Sequence, residues 1–238
     1  MHALDILQVR FELTDKACII AEAGTCHAHK KEGLRLFGAM KYIDGAKEAG
    51  ADAIKFQMFD YPAPDTMFCW IDGDSDRSPR WKDSSMAYGE WEYAKEYAED
   101  MGLVFLVSAF EKTTVEWTRE LGLVASKVAS RAARDFPYDS APAPYLVSNG
   151  MYPIPDIDNV IGLECEANYP STAMWTGKHP GFSDHSGNPE RAIEAIRRGC
   201  KLIELHFYVD PEDAGPDLPA SISIDQFKTV CKARDKVF

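Results

Sequence analysis

The chain has 238 residues, 45% of them apolar, which is enough for one large core, and a single domain is expected. Its formal net charge of −12 and pI near 4.9 exclude a sequence-independent attraction to nucleic acid or anionic membrane, because both need clustered Lys and Arg. An anionic ligand must therefore be met by a local cationic pocket.

Six widely spaced cysteines (Cys18, Cys26, Cys69, Cys165, Cys200, Cys231) include no CxxC pair and read as reduced thiols. The start carries no basic region followed by an apolar one, and no apolar stretch approaches the roughly 20 residues of a membrane span. The expectation is a cytoplasmic protein with no nucleic-acid or membrane partner.

In chain order, residues 6–13 alternate apolar and polar side chains, which predicts a strand or hairpin capping the bottom of the fold. Eight short apolar runs suited to buried parallel strands follow, at 18–21, 53–56, 103–107, 125–129, 145–147, 161–165, 180–182 and 202–207. Helical periodicity fills 34–49, 91–100 and 113–120, and each stretch gives way to a glycine (Gly50, Gly102, Gly122); 191–198, before Gly199, repeats the pattern.

Strand and helix in alternation, with eight strands, predict a (β/α)8 barrel, an α/β fold with its active site at the C-terminal strand ends. Two spacers, 148–164 and 169–181, are short and rich in Pro, Gly and Asn, so the outer helices after strands 5 and 6 are expected to be incomplete. The segment 61–88 contains Pro62, Pro64, Gly73 and Pro79 beside Phe68, Trp70 and Trp81; it reads as an active-site lid in preference to an ordered surface loop.

The C-terminal strand ends carry Glu22, Lys55 with Gln57, Ser108, Lys127 with Ser130, Ser148, Tyr169, Ser183 with Asp184 and His185, and Glu204 with His206. Lysines inside a barrel mouth are costly unless an anion meets them, and neighbouring hydroxyls suit phosphate or carboxylate oxygens. A phosphate-bearing or doubly anionic substrate is implied; the alternative is that Lys55 and Lys127 form structural ion pairs with Glu22 and other carboxylates. His185 and His206, each beside a carboxylate on neighbouring strands, suit a divalent metal that Asp184, Glu204 or solvent completes. His27 and His29 are secondary candidates.

These motifs, in order, resemble the sialic acid synthase family. The carriers are Ile-Ala-Glu-Ala-Gly (20–24) with His27, Ala-Gly-Ala-Asp-Ala-Ile-Lys-Phe-Gln (49–57), Ser-Ala-Phe-Glu (108–111), Lys-Val-Ala-Ser (127–130), Ser-Asn-Gly-Met (148–151), Tyr-Pro-Ser (169–171), Gly-Phe-Ser-Asp-His (181–185), Ile-Glu-Leu-His-Phe (203–207) and Gly-Pro-Asp (215–217) followed by Ser221. Each is weak alone; their shared order is the signal.

The resemblance implies a (β/α)8 barrel that condenses phosphoenolpyruvate with an aldose, foremost an N-acyl hexosamine such as N-acetylmannosamine, to give a nonulosonic 2-keto-3-deoxy acid and phosphate. It implies a divalent ion, Mn²⁺ before Mg²⁺ or Co²⁺, on His185 and His206. Phosphoenolpyruvate would meet Lys55, Ser108, Lys127, Ser130, Ser148 and Ser183, while Glu22, Gln57, Tyr169 and Asp217 would face the sugar. Glu22 or Asp184 would assist proton transfer.

Two local departures stand out. Where the family has Asn-His-Asn-Gly this chain has Cys26, His27, Ala28 and His29, and where it has Ser-Gly-Glu or Ser-Gly-Asp this chain has Ser130, Arg131 and Ala132. The C-terminal antifreeze-like domain of bacterial and animal synthases is expected to be absent. Two alternatives follow: a 3-deoxy-ulosonate phosphate synthase, whose second phosphate would need Arg131 and Arg134, and a non-catalytic barrel that binds metal and anion.

Overall fold

The computed structural model describes residues 16–61 and 66–237, so the cap expected at 6–13 lies outside the described residues. Eight parallel strands close on themselves: β1 (Cys18–Gly24), β2 (Ala53–Met58), β3 (Val104–Ala109), β4 (Ser126–Val128), β5 (Tyr145–Ser148), β6 (Val160–Cys165), β7 (Gly181–Asp184) and β8 (Leu202–Tyr208). Each pairs with its successor and β8 returns to β1, which gives the expected (β/α)8 barrel. A two-residue strand, β9 (Ile222–Ser223), extends the edge of β8.

The outer ring holds α1 (Arg35–Ala49) after β1, α2 (Ser78–Ser84) and α3 (Tyr88–Asp100) after β2, and α4 (Lys112–Glu120) after β3. It resumes with α5 (Pro189–Arg197) after β7 and α6 (Ile224–Val237) after β9. Gly50 ends α1 at φ +86°, where its N–H closes onto the Ala46 and Lys47 carbonyls. Asn188 caps α5 by accepting from the Glu190 N–H, and Pro189 begins the helix without forfeiting a bond.

Among the described residues no α-helix lies between β4 and β7, so the gap expected after strands 5 and 6 begins one connection earlier. Pro137, Pro142 and Pro144 crowd the β4–β5 connection, and only a single 3₁₀ turn forms there, at Tyr138–Ser140.

Alternation along the strands sorts the side chains into two cores. Ile19, Ile54, Phe56, Phe105, Ile203 and Leu205 face outward and pack beneath the helices with Tyr42, Ile43 and Trp91. The inward set begins with an apolar layer that includes Cys18, Ile20, Ala53, Leu106, Ala125, Leu146, Ile161, Leu163 and Leu202. Burying each Leu or Ile side chain contributes roughly 1.5–3 kcal/mol, which supports the polar residues two positions further along the same strands. That floor is what fixes the site above it.

The expected lid is not a bare loop. Residues 78–84 form α2, with Pro79 in its first turn, and Trp81 stacks on Phe59, which stacks on Phe110 (ring centroids 5.3 and 5.0 Å apart). Arg35 donates to the Ser85 and His29 carbonyls at 2.6 and 2.9 Å, and the Arg131 guanidinium pairs with buried Asp74 and donates to the Cys69 carbonyl. Among its described residues this segment is pinned to the barrel mouth.

Candidate active site

Two residues past the apolar floor, the strands present Glu22, Lys55, Ser108, Lys127, Ser148, Ser183 and Glu204, all buried. Glu22 and Lys55 are register partners on β1 and β2, and Ser108 and Lys127 are partners on β3 and β4. Lys55 Nζ donates to Ser108 Oγ at 2.9 Å and stands 2.8 Å from Glu22 Oε2. Lys127 Nζ donates to Ser148 Oγ at 2.9 Å and stands 3.4 Å from Glu204 Oε1, which also accepts from Ser183 Oγ at 2.7 Å. Glu204 Oε2 lies 3.8 Å from Lys55, so one carboxylate bridges both ammonium groups.

Burial would raise Glu204, but the charges of Lys127 and Lys55 and the Ser183 hydrogen bond outweigh it and hold its carboxyl below the usual range. Burial raises Glu22 despite Lys55 beside it. The same burial lowers Lys127, whereas in Lys55 it is overcome by Glu204 and Glu22 and the pKa rises. Ion pairs this deep do little for stability, since desolvation offsets most of their attraction. Their concentration at strand ends points to an anion-binding role.

Above the lysines, His185 Nδ1 donates to the Glu166 carbonyl at 2.8 Å, leaving Nε2 as an acceptor. Burial, with His206 second, lowers His185 to about 3, so the ring is neutral at physiological pH. The Tyr169 hydroxyl lies 3.1 Å from His185 Nε2 and 3.3 Å from His206 Nε2. The two ring centroids are 5.4 Å apart.

Two imidazole nitrogens that converge on one point, one of them oriented by a backbone carbonyl, fit a divalent metal. Among the described residues no group of three or more His, Cys, Asp or Glu is arranged to hold one; a metal here would rest on His185 and His206.

A third cluster surrounds Gly24, which has φ +53°. A Cβ there would lie 3.3 Å from Asp217 Oδ2 and 3.6 Å from both Gln57 Nε2 and Glu22 Oε1. The expected sugar-facing groups Glu22, Gln57 and Asp217 are thus brought together. Tyr169 stands with the histidines; the residue as a whole is 42% exposed, but its hydroxyl is directed inward to His185.

Other expected residues fall elsewhere. Asp184 pairs in register with outward-facing Leu205, and its Oδ1 accepts from the Ser186 N–H at 2.9 Å, so it shapes the loop into α5 and stands outside the lysine network. Ser130 is half-buried two residues past β4 and is not hydrogen-bonded into that network.

His27 is a core residue. Its Nε2 donates to the Ser84 carbonyl at 2.8 Å, its ring meets Phe56 and Trp91 edge-on, and burial lowers it to about 4. His29 is exposed and accepts from the Lys31 N–H. Arg131 is committed to Asp74, Arg134 pairs with Asp135 at the surface, and Ala132 is buried against an apolar cluster containing Trp81 and Phe136. Each of the two arginines expected to meet a second phosphate is thus paired with a carboxylate.

Sequence reasoning weighed Glu204 only as a neighbour of the metal and missed its bridging of Lys55 and Lys127. The signal was available: a residue two before His206 on a strand must face the same way.

Comparison with known proteins gives a consistent answer. The NeuB family profile matches residues 42–238. The chain is 28% identical to a pseudaminic acid synthase of Campylobacter jejuni across 94% of its own length and 74% of that protein's. It is 26% identical to an N,N'-diacetyllegionaminic acid synthase of Legionella pneumophila, across 90% and 70%.

Among solved structures, the Leptospira borgpetersenii N-acetylneuraminic acid synthetase superposes with TM-score 0.78 at 23% identity, covering 93% of this chain and 84% of that one, a likeness of fold. The Bacillus subtilis spore coat polysaccharide biosynthesis protein SpsE gives TM-score 0.68 at 26% identity, covering 93% and 68%.

Proposed function

The chain belongs to the NeuB family, and on that premise we propose that it condenses phosphoenolpyruvate with an aldose, giving a 2-keto-3-deoxy acid of the nonulosonic type and phosphate. N-acyl hexosamines, N-acetylmannosamine first, are the acceptors of this reading. The observation that carries it is the pair of buried lysine–serine couples, Lys55–Ser108 and Lys127–Ser148, beneath two converging histidines.

Phosphoenolpyruvate brings a carboxylate and a phosphate, and the two couples with Ser183 offer ammonium and hydroxyl donors to both. Glu22 and Glu204 pair with those ammonium groups. Incoming oxygens take over the lysine contacts, which frees Glu22 to turn toward the acceptor beside Gln57 and Asp217. Tyr169 closes the acceptor side against water.

His185 and His206 would hold a divalent ion, Mn²⁺ foremost, which would supply Lewis-acid polarisation of the open-chain aldehyde. The C3–C1 bond forms from the enol carbon, water adds at C2, and loss of phosphate leaves the keto acid. The water that adds at C2 gives up a proton and the new alkoxide takes one, and Glu22, raised by burial and set beside Gln57 and Asp217, is the carboxylate placed to relay it. A cytoplasmic location, where the six free thiols stay reduced, belongs to the same reading.

The phosphorylated-aldose alternative would need a further cationic cluster, and its candidates Arg131 and Arg134 are paired with Asp74 and Asp135. The test is phosphate release from phosphoenolpyruvate with Mn²⁺ across N-acyl hexosamines, plain aldoses and aldose phosphates, with product masses in parallel. Release with a matching keto acid names the acceptor, and His206→Ala should abolish it with the fold intact. Phosphoenolpyruvate binding without release from any acceptor would leave a binding protein.

A further inference from the structure

Arg80, on α2, links three segments far apart in sequence. Its Nε donates to Thr25 Oγ1 at 2.8 Å, and its Nη2 donates to the Thr25 carbonyl at 3.0 Å and to the Asp213 carbonyl at 2.5 Å. Thr25 directly follows Gly24, and Asp213 lies two residues before the 3₁₀ helix Gly215–Ala220 that carries Asp217. The guanidinium also lies flat against Gly215, where a Cβ would fall 2.4 Å from Arg80 Cζ and 2.7 Å from both Nε and Nη1. Gly215, with φ +57°, therefore leaves open the seat that Arg80 fills.

The loops that Arg80 joins carry the acceptor-side groups. Asp217 reaches Gly24 from the β8 side, Gln57 and Glu22 reach it from β2 and β1, and nothing in the β1–β8 strand pairing extends past Glu22 and His206 to set the distance between the loops.

We propose that Arg80 is a positioning residue that fixes the β1 and β8 loops against each other, so that Asp217 meets Glu22 and Gln57 and the acceptor is selected. The proposal rests on the functional reading above for the identity of the acceptor. It is a task for arginine: the planar fork satisfies two carbonyls and a hydroxyl at once, whereas a lysine ammonium on a flexible stem cannot hold the same geometry. The lysine–serine couples lie on strands that Arg80 does not touch, so the phosphoenolpyruvate half of the site is independent of it.

The experiment compares the full chain with Arg80→Met, Arg80→Lys and Gly215→Ala, measuring KM for phosphoenolpyruvate and for the acceptor found with the wild type. Amide exchange is followed by mass spectrometry in parallel. Arg80→Met should raise the acceptor KM about tenfold or more while that for phosphoenolpyruvate stays within about twofold. Exchange across 213–221 should quicken about fivefold, with the strands that hold Lys55 and Lys127 unchanged. Arg80→Lys should recover part of the loss, and Gly215→Ala, which denies the guanidinium its seat, should reproduce the split.

Equal changes in both KM values, or unchanged exchange across 213–221, would overturn the proposal. Should the wild type turn over no acceptor, the functional reading fails on its own, and the exchange comparison alone decides whether Arg80 positions the loops.

Discussion

Glu22 and Lys55 are register partners on neighbouring strands, and Lys55 Nζ stands 2.8 Å from Glu22 Oε2 inside the barrel. Both are buried, and the ammonium also faces Glu204 Oε2 at 3.8 Å. Lys55→Met would leave two buried carboxylates short of a cation. It should cost about 3–5 kcal/mol in urea unfolding, the magnitude for breaking a buried pair. Adding Glu22→Gln to that background should restore part of the loss, because the stranded charge is removed. Simple additivity of the two substitutions would show that the pair is not coupled.

A similar contrast separates the two arginines after β4. Arg131 is paired with Asp74, which is 1% exposed, and its guanidinium lies over Trp81 at 5.6 Å. Arg131→Met should destabilise the protein by about 3 kcal/mol or more and loosen the segment around Asp74. Arg134 forms an exposed pair with Asp135, and Arg134→Ala should change stability by less than about 1 kcal/mol. Equal urea midpoints for the two variants would mean that Arg131 does not anchor the segment.

The eight strands and most of the site were legible because alternation has a period of two: once Ile20, Ala53 and Leu202 are inside, Glu22, Lys55 and Glu204 must be inside above them. The same rule places Asp184 with outward-facing Leu205, between inward Ser183 and His185, although its carboxylate beside a histidine suggested chemistry. Long-range partners were not legible. Nothing local in the sequence tells Arg131 to find Asp74, 57 positions earlier. α2 was hidden because Gly73 and Pro79 read as breakers, whereas proline in a first turn starts a helix. The absent helix after β4 follows from three prolines that the strand pattern did not weigh.

Tyr169 makes a separate prediction about metal. Its single hydroxyl proton goes to His185 Nε2, whose other nitrogen donates to Glu166, so toward His206 Nε2 the hydroxyl is an acceptor. A cation on the two imidazoles must displace these contacts, together worth on the order of 1 kcal/mol. Tyr169→Phe should therefore tighten Mn²⁺ binding about fivefold in calorimetry, while His185→Ala and His206→Ala should each remove it. Weaker binding in Tyr169→Phe would make the phenol a helper of the metal and not its competitor.

Glu111, where the chain leaves β3 for α4, gives the pH dependence. It is buried and accepts from Thr114 Oγ1 at 3.1 Å, yet burial pushes its carboxyl up to about 7. A carboxyl whose folded pKa exceeds its unfolded value binds its proton more tightly in the native state. Its contribution is therefore full below the ordinary glutamate range and is lost as pH rises toward 7. Across that window the loss is on the order of 3 kcal/mol. Glu111→Gln keeps an oxygen for Thr114 and cannot ionise. Its stability curve should be flatter from pH 5 to 7.5 and should cross above the wild type near neutrality, as urea midpoints at stepped pH would show. Parallel curves for the two proteins would mean that Glu111 is already ionised in the folded chain and that its burial is compensated by partners other than a proton.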